Sequence, residues 1–224
     1  MTTSIRTFHP RRGRLSGRHH DALDRLWPAY GVTIEDGRGT PIDLSALFGR
    51  NAPRVLEIGS GMGDATADMA AEDTERDYLA VEVHTPGIAN LLALAEARGL
   101  TNVRVARGDA IELLRRHLEP ASLDAVNVFF PDPWPKLRHH KRRLIQPGHV
   151  DVVRSRLIPG GALRCATDSA AYAEHMLRTL TADDQLINAF DGFAPRPTYR
   201  PLTKFEQRGI DAGRSVFDLV FLRR

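Results

Sequence analysis

The sequence predicts an α/β fold: a doubly wound, mostly parallel sheet with an antiparallel C-terminal strand. Three observations carry this. Short aliphatic runs recur from residue 54 onward, helical stretches of about 10–15 residues separate them, and turn residues punctuate the two.

The elements follow in order. Leu23, Leu26, Trp27 and Tyr30 stand three or four apart within residues 19–30, the spacing of a short amphipathic helix that Gly31 ends. A polar stretch with glycine and proline, residues 35–41, leads into the main domain. Residues 54–58 read as a buried strand and 64–71 as the helix after it. Strands over 78–83 and 103–106 alternate with helices over 86–98 and 110–118. The run A-V-N-V-F-F, residues 125–130, is apolar enough for a central strand. Residues 148–157 and 169–180 are expected helices flanking a strand over 161–166. In 215–222, Val216, Asp218 and Val220 alternate with Phe217, Leu219 and Phe221, as in a final strand. The expected organisation is a basic N-terminal arm with a short helix, 1–50, and one catalytic domain, 51–224.

Of the 224 residues 42% are apolar, enough for a continuous core. No run approaches the ~18 apolar residues of a membrane span, and no apolar stretch follows the basic N-terminus as in a secretory signal. The single cysteine, Cys165, excludes an internal disulfide and suits a reducing cytoplasm; within A-L-R-C-A it reads as a small core residue. Net charge is only +3, but the charge is unevenly spread. Residues 1–20 hold Arg6, Arg11, Arg12, Arg14 and Arg18 and no acid, and a second cluster comprises Lys136, Arg138, Lys141, Arg142 and Arg143. That asymmetry points to a polyanionic partner, the alternative being a solvated tail and loop. The pairs His19-His20 and His139-His140 have no Cys, His or Asp at zinc spacing, so no metal site is expected.

E-I-G-S-G-M-G, residues 57–63, joins the first strand to the first helix. Gly59, Gly61 and Gly63 allow a tight turn and a close approach of backbone to ligand. The spacing differs from the G-x-G-x-x-G of a pyrophosphate binder, and Glu57 would repel a pyrophosphate while attracting an amine or sulfonium. Glu82, about 20 residues further on, suits the hydroxyls of a ribose. Asp109, in G-D-A after the third strand, suits an exocyclic amine such as adenine N6; capping the next helix is the alternative and is compatible. A cationic head, a ribose and an adenine together describe S-adenosylmethionine.

After the central strand comes P-D-P-W-P-K, residues 131–136, whose three prolines impose a rigid irregular loop that holds Asp132 and Trp134 over the cofactor end. The basic run that follows suits a nucleic-acid backbone, a charged surface loop being the alternative.

Here the sequence resembles a known family. P-D-P-W-P-K-L-R-H-H-K-R-R, residues 131–143, and T-K-F-E-Q-R-G, residues 203–209, are similar to the motifs of the bacterial tRNA (guanine-N7-)-methyltransferases. The likeness extends over residues 56–63, 81–84, 86–87 and 166–168 and the R-T-F of residues 6–8, in the family's order. Pro135 departs from the pattern, histidine being common there. The resemblance implies a class I, Rossmann-like methyltransferase fold and cofactor contacts from Glu57, Gly59, Gly61, Glu82, Asp109 and Asp132. It implies substrate contacts from Lys136, Asp168, Thr203, Lys204, Phe205 and Glu206. RNA contacts would come from Arg138, His139, His140, Lys141, Arg142 and Arg143. The target it implies is the guanosine at position 46 of tRNA, with no partner subunit; residue spacing and hydropathy already speak against a metal and a membrane.

The residue types agree with that chemistry. Guanine N7 carries a lone pair and no proton, so alignment and charge stabilisation outweigh a general base. Asp132 is expected to orient and to stabilise charge as the catalytic residue. Asp168 and Glu206 are the expected acceptors for the guanine N1–H and amino group, with helix capping as the alternative for Asp168. A nicotinamide oxidoreductase, a methyltransferase for exocyclic amines and a non-catalytic RNA-binding module are the competing readings. The glycine spacing, the order of the Pro-Asp-Pro-Trp loop and the intact cofactor turn argue against each in turn.

Overall fold

A computed structural model describes residues 7–8, 13–34 and 39–224, with the backbone alone for Lys204, Phe205 and Arg208. Arg6, Arg11 and Arg12 of the basic arm, and the start of the polar stretch, lie outside the described residues.

Eight strands form one sheet: β1 (Gly31–Thr33), β2 (Arg54–Ile58), β3 (Asp77–Glu82), β4 (Val103–Arg107), β5 (Leu123–Phe129), β6 (Leu157–Thr167), β7 (Leu186–Asn188) and β8 (Phe217–Arg223). Their order is β1-β4-β3-β2-β5-β6-β8-β7. The first six are parallel, while β8 runs antiparallel to both β6 and β7. The order reverses between β2 and β5, and a crevice outside the carboxyl ends of the strands forms at such a reversal.

The helices are α1 (Gly17–Tyr30), α2 (Leu44–Phe48), α3 (Asp64–Glu72), α4 (Thr85–Ala97), α5 (Ala110–Glu112), α6 (Pro147–Arg156), α7 (Ala170–Thr181) and α8 (Lys204–Asp211). Neighbouring residues of a strand face opposite layers, so Val55 joins α1, α3 and α4 while Leu56 joins α6 and α7. Both faces are covered, which explains why the interiors of β2, β3 and β5 are largely apolar on both sides.

The structure corrects several boundaries. The stretch after α1 is not all linker, because β1 adds an edge strand along β4, pairing Gly31–Thr33 with residues 105–107. Three residues are too few for periodicity to register. The expected helix over 110–118 has three α-helical residues and then a π turn, Leu113–His117. Residues 204–211 form a helix where none was expected, and β7 is likewise new.

The start of α4 seats the glycine turn. Thr85 and Pro86 open the helix, and a Cβ on Gly87 would lie 1.8 Å from the Gly61 carbonyl oxygen. One turn on, a Cβ on Gly63 would meet that of Leu91 at 2.5 Å. The neighbour at Gly87 is backbone and cannot swing aside, so Gly87→Ala should destabilise the protein by about 3 kcal/mol, the upper range for overpacking. Urea unfolding of the variant beside wild type measures this.

Candidate active site

Glu57 sits on β2, 3% exposed, with Thr66 Oγ1 of α3 donating to it at 2.5 Å. Burial pushes its carboxyl up to about 7, against the Thr66 hydrogen bond and with help from the nearby Glu82 charge. Asn127 stands level with it on β5 and is fully buried. Asn127 Oδ1 and Ser60 Oγ are both buried without a hydrogen-bond partner among the described residues. Among the described residues no cation pairs with Glu57, and an acid so placed level with the orphaned Asn127 oxygen fits a ligand with an ammonium or sulfonium group.

The glycine turn owes its shape to positive φ at Gly59, Gly61 and Gly63: +78°, +59° and +81°. Glu82 locks it. One oxygen of this carboxylate accepts from the Gly61 amide at 2.7 Å, and the other from the amides of Val83 and His84 at 2.7 and 2.8 Å.

Asp109 does cap a helix, accepting at Oδ1 from the Ile111 amide at 2.8 Å. It also lines a cavity of about 470 Å³ with Gly108, Val83, Trp27, Thr33 and Ile34. Capping and lining therefore coexist. Trp27, Thr33 and Ile34 come from the N-terminal segment; sequence reasoning missed Thr33 and Ile34 because β1 carries no periodic signal, and Trp27 reads only as part of the apolar face of α1.

The loop after β5 is stiff. Phe130 and Trp134 hold φ of +51° and +46°, uncommon for bulky L-residues. Trp134 is buried at 3% exposure and packs within the loop. His139 meets its ring edge-on at 5.8 Å and the Arg142 guanidinium lies 5.0 Å from its centroid. Its indole N–H donates to the Thr7 carbonyl at 3.3 Å, tying the N-terminal segment to the loop. Asp132 is half-buried on the same loop.

The basic run divides. Lys136, which precedes a 3₁₀ turn, Leu137–Arg142, is exposed, as are Arg138 and Lys141 within it, with His139, His140 and Arg142 half-buried. Arg143 is the correction: it is 3% exposed and cannot meet RNA there. Its Nε donates to the Pro133 carbonyl at 3.0 Å, its Nη2 is 3.0 Å from His140 Nε2, and it lies 4.9 Å from the Tyr172 ring centroid. The Gln146 amide further braces the turn by donating to the carbonyls of Lys141 and Arg143 at 2.7 and 2.6 Å.

The C-terminal segment also departs from expectation. T-K-F-E is a helix start: Thr203 Oγ1 accepts from the Glu206 amide at 3.1 Å. The T-x-x-E spacing was the available sign of that helix. Glu206 is no open acceptor for guanine, being 1% exposed and held by Arg200 at 2.5 Å and Arg196 at 3.0 Å. Burial would raise its carboxyl, but the two arginines outweigh that and hold it below the usual range. Asp168, at the end of β6, does not cap α7, whose N-cap is Ser169 without a side-chain bond. It accepts from Arg214 Nε at 2.8 Å, and a Cβ on Gly209 of α8 would lie 3.8 Å from its Oδ2. The side chains of Lys204 and Phe205 lie outside the described residues. Among the described residues no cluster of His, Cys, Asp and Glu suits a metal ion, and no helix is long and apolar enough to cross a membrane.

These features coincide with known proteins. A family model described as putative methyltransferase matches residues 51–219. Among solved structures, the 16S rRNA methyltransferase KamB aligns with a TM-score of 0.61 at 16% identity, over 84% of this chain and 95% of that one. The fold is thus the Rossmann-like methyltransferase sheet. A tRNA (guanine-N(7)-)-methyltransferase of Streptomyces avermitilis is 57% identical over 221 residues, 98% of this chain and 75% of that protein. One from Halorhodospira halophila is 55% identical over 221 residues, 98% of this chain and 95% of that protein. The chain belongs to the tRNA (guanine-N7-)-methyltransferase family.

Two outcomes follow from the site's electrostatics. The folded state keeps a proton on Glu57 up to about pH 7, whereas the unfolded chain loses it near 4.5. Between those values the native state binds more protons, so stability falls as pH rises and levels off above 7. The loss should be about 3 kcal/mol, and Glu57→Gln should abolish that share of the slope in urea unfolding at pH 5 and 8. Arg143→Ala should lower stability by about 2 kcal/mol, while the exposed Arg138→Ala should stay within about 0.5. Thermal unfolding of both variants decides it.

Proposed function

We propose that this protein transfers a methyl group from S-adenosylmethionine to N7 of a guanine in tRNA, the variable-loop guanosine at position 46. The observation that carries the reading is the placement of the loop bearing Asp132 on β5, directly across the strand-order reversal from the glycine turn and Glu57 on β2. The identity to relatives named for guanine-N7 methylation of tRNA supports the same substrate.

S-adenosylmethionine, when bound, supplies a methyl group activated by its sulfonium. Glu57 would hold its cationic end, the side-chain-free Gly59–Gly61–Gly63 turn would admit its close approach, Glu82 would hold its ribose, and Asp109 its adenine within the 470 Å³ cavity. Glu82 keeps lone pairs for this purpose after accepting three amides, since a carboxylate offers about four acceptor sites.

On the substrate side the loop's residues align the base. No proton leaves N7, so Asp132 acts as orienter and electrostatic partner to the positive charge that appears on the purine. Asp168 at the neighbouring strand end accepts from the guanine N1–H and amino group, exchanging its exposed pair with Arg214 for the base. Lys136 and Thr203 through Glu206 contact the substrate, Thr203 and Glu206 as the start of α8 rather than through a free carboxylate. The face bearing Arg138 and Lys141, with His139, His140 and Arg142 beside it, neutralises tRNA phosphates. The base is drawn out of the folded tRNA to be read on its Watson–Crick edge. The enzyme works without a partner subunit, as the resemblance implies, and in the reducing cytoplasm that its single cysteine suits.

Incubation with unmodified tRNA and labelled S-adenosylmethionine, followed by nucleoside analysis, should yield 7-methylguanosine; a methyl group on another atom would refute the assignment. Asp132→Asn should keep the cofactor affinity and lower kcat about 100-fold or more. An unchanged kcat would remove Asp132 from the chemistry.

A further inference from the structure

Arg200 is among the largest side chains the core encloses completely, at 1% exposure. A buried guanidinium persists only with its charge and donors matched. Nε and Nη2 donate to the two oxygens of Asp218 on β8 at 3.1 and 2.9 Å, and Nη1 donates to Glu206 on α8 at 2.5 Å. The same guanidinium lies 5.8 and 5.4 Å from the ring centroids of Phe129 and Phe130.

One cation therefore touches three separate pieces of chain: β8, the T-K-F-E helix and the junction between β5 and the P-D-P-W loop. Phe130 at that junction carries the positive φ, with its amide bonded to the Ala166 carbonyl at 2.8 Å and its ring against Arg200. Stability alone is a weak reason for such a cluster, because apolar residues of similar volume often serve a core as well or better. An apolar filler has no fork, however, and would not set the angle between α8 and the loop.

We propose that Arg200 is a positioning residue: it holds α8 and the Asp132 loop in one register, so that the base and the methyl donor meet in line. This rests on the reading of residues 203–206 as a substrate segment. Asp218 is separated from β2 by β6 and β5, so the cofactor acids stand outside the network.

The test uses the full chain with Arg200→Lys, which keeps the charge but not the planar fork, and Arg200→Met, which keeps the bulk alone. For the variants kcat should fall about 100-fold, with KM for tRNA within about threefold and Kd for S-adenosylmethionine within about twofold of wild type. An unchanged kcat overturns the proposal, and so does a fall matched by equal losses of cofactor affinity and folded fraction. Should the Met variant fail to fold, the Lys variant decides. Lys204→Ala separates the two readings. If it leaves both KM and kcat for tRNA intact, the substrate reading of 203–206 fails and the proposal with it. If it impairs tRNA turnover while Arg200→Lys does not, the role of Arg200 alone is overturned.

Discussion

The hydrogen bond from the Gly61 amide to the Glu82 carboxylate organises the ligand side of this protein. It pins the turn after β2 to the end of β3, and the turn in turn rests on Gly87 at the start of α4. Each support requires a particular residue type. Positive φ demands glycine in the turn, the 1.8 Å approach demands glycine in the helix, and three converging amides demand an acceptor-only group at residue 82. With those in place, Glu57 stands at the reversal of strand order as a buried acid with no cation beside it among the described residues.

The other side of the crevice is rigid for a different reason. Three prolines deny the P-D-P-W-P segment regular hydrogen bonds, and buried side chains do the work of a ladder. Trp134 and Arg143 lie inside the loop, Gln146 ties its carbonyls, and Arg200 backs its first residue. The unfavourable backbone angles at Phe130 and Trp134 persist because their surroundings over-determine them. The charged face of the loop is thereby displayed on a fixed base, and the basic cluster of residues 136–143 is sorted into an exposed set and a buried Arg143.

The sequence by itself determined the alternation of strands and helices, the glycine turn, and the acids Glu57, Glu82 and Asp109 at strand ends. Those are local matters: burial period, backbone angle and position after a strand are all written within a few residues of one another. Only the tertiary structure decided which charged groups are open. Glu206 and Arg143 looked like ligands to guanine and RNA, yet each is enclosed. The groups that enclose Glu206 can be assigned only once the chain is folded, as can the pairing of Arg200 with Asp218, 18 residues away, and of Asp168 with Arg214, 46 away. A charge is costly to bury until its partner arrives, and that arrival depends on how β6, β8 and α8 come together rather than on any local pattern.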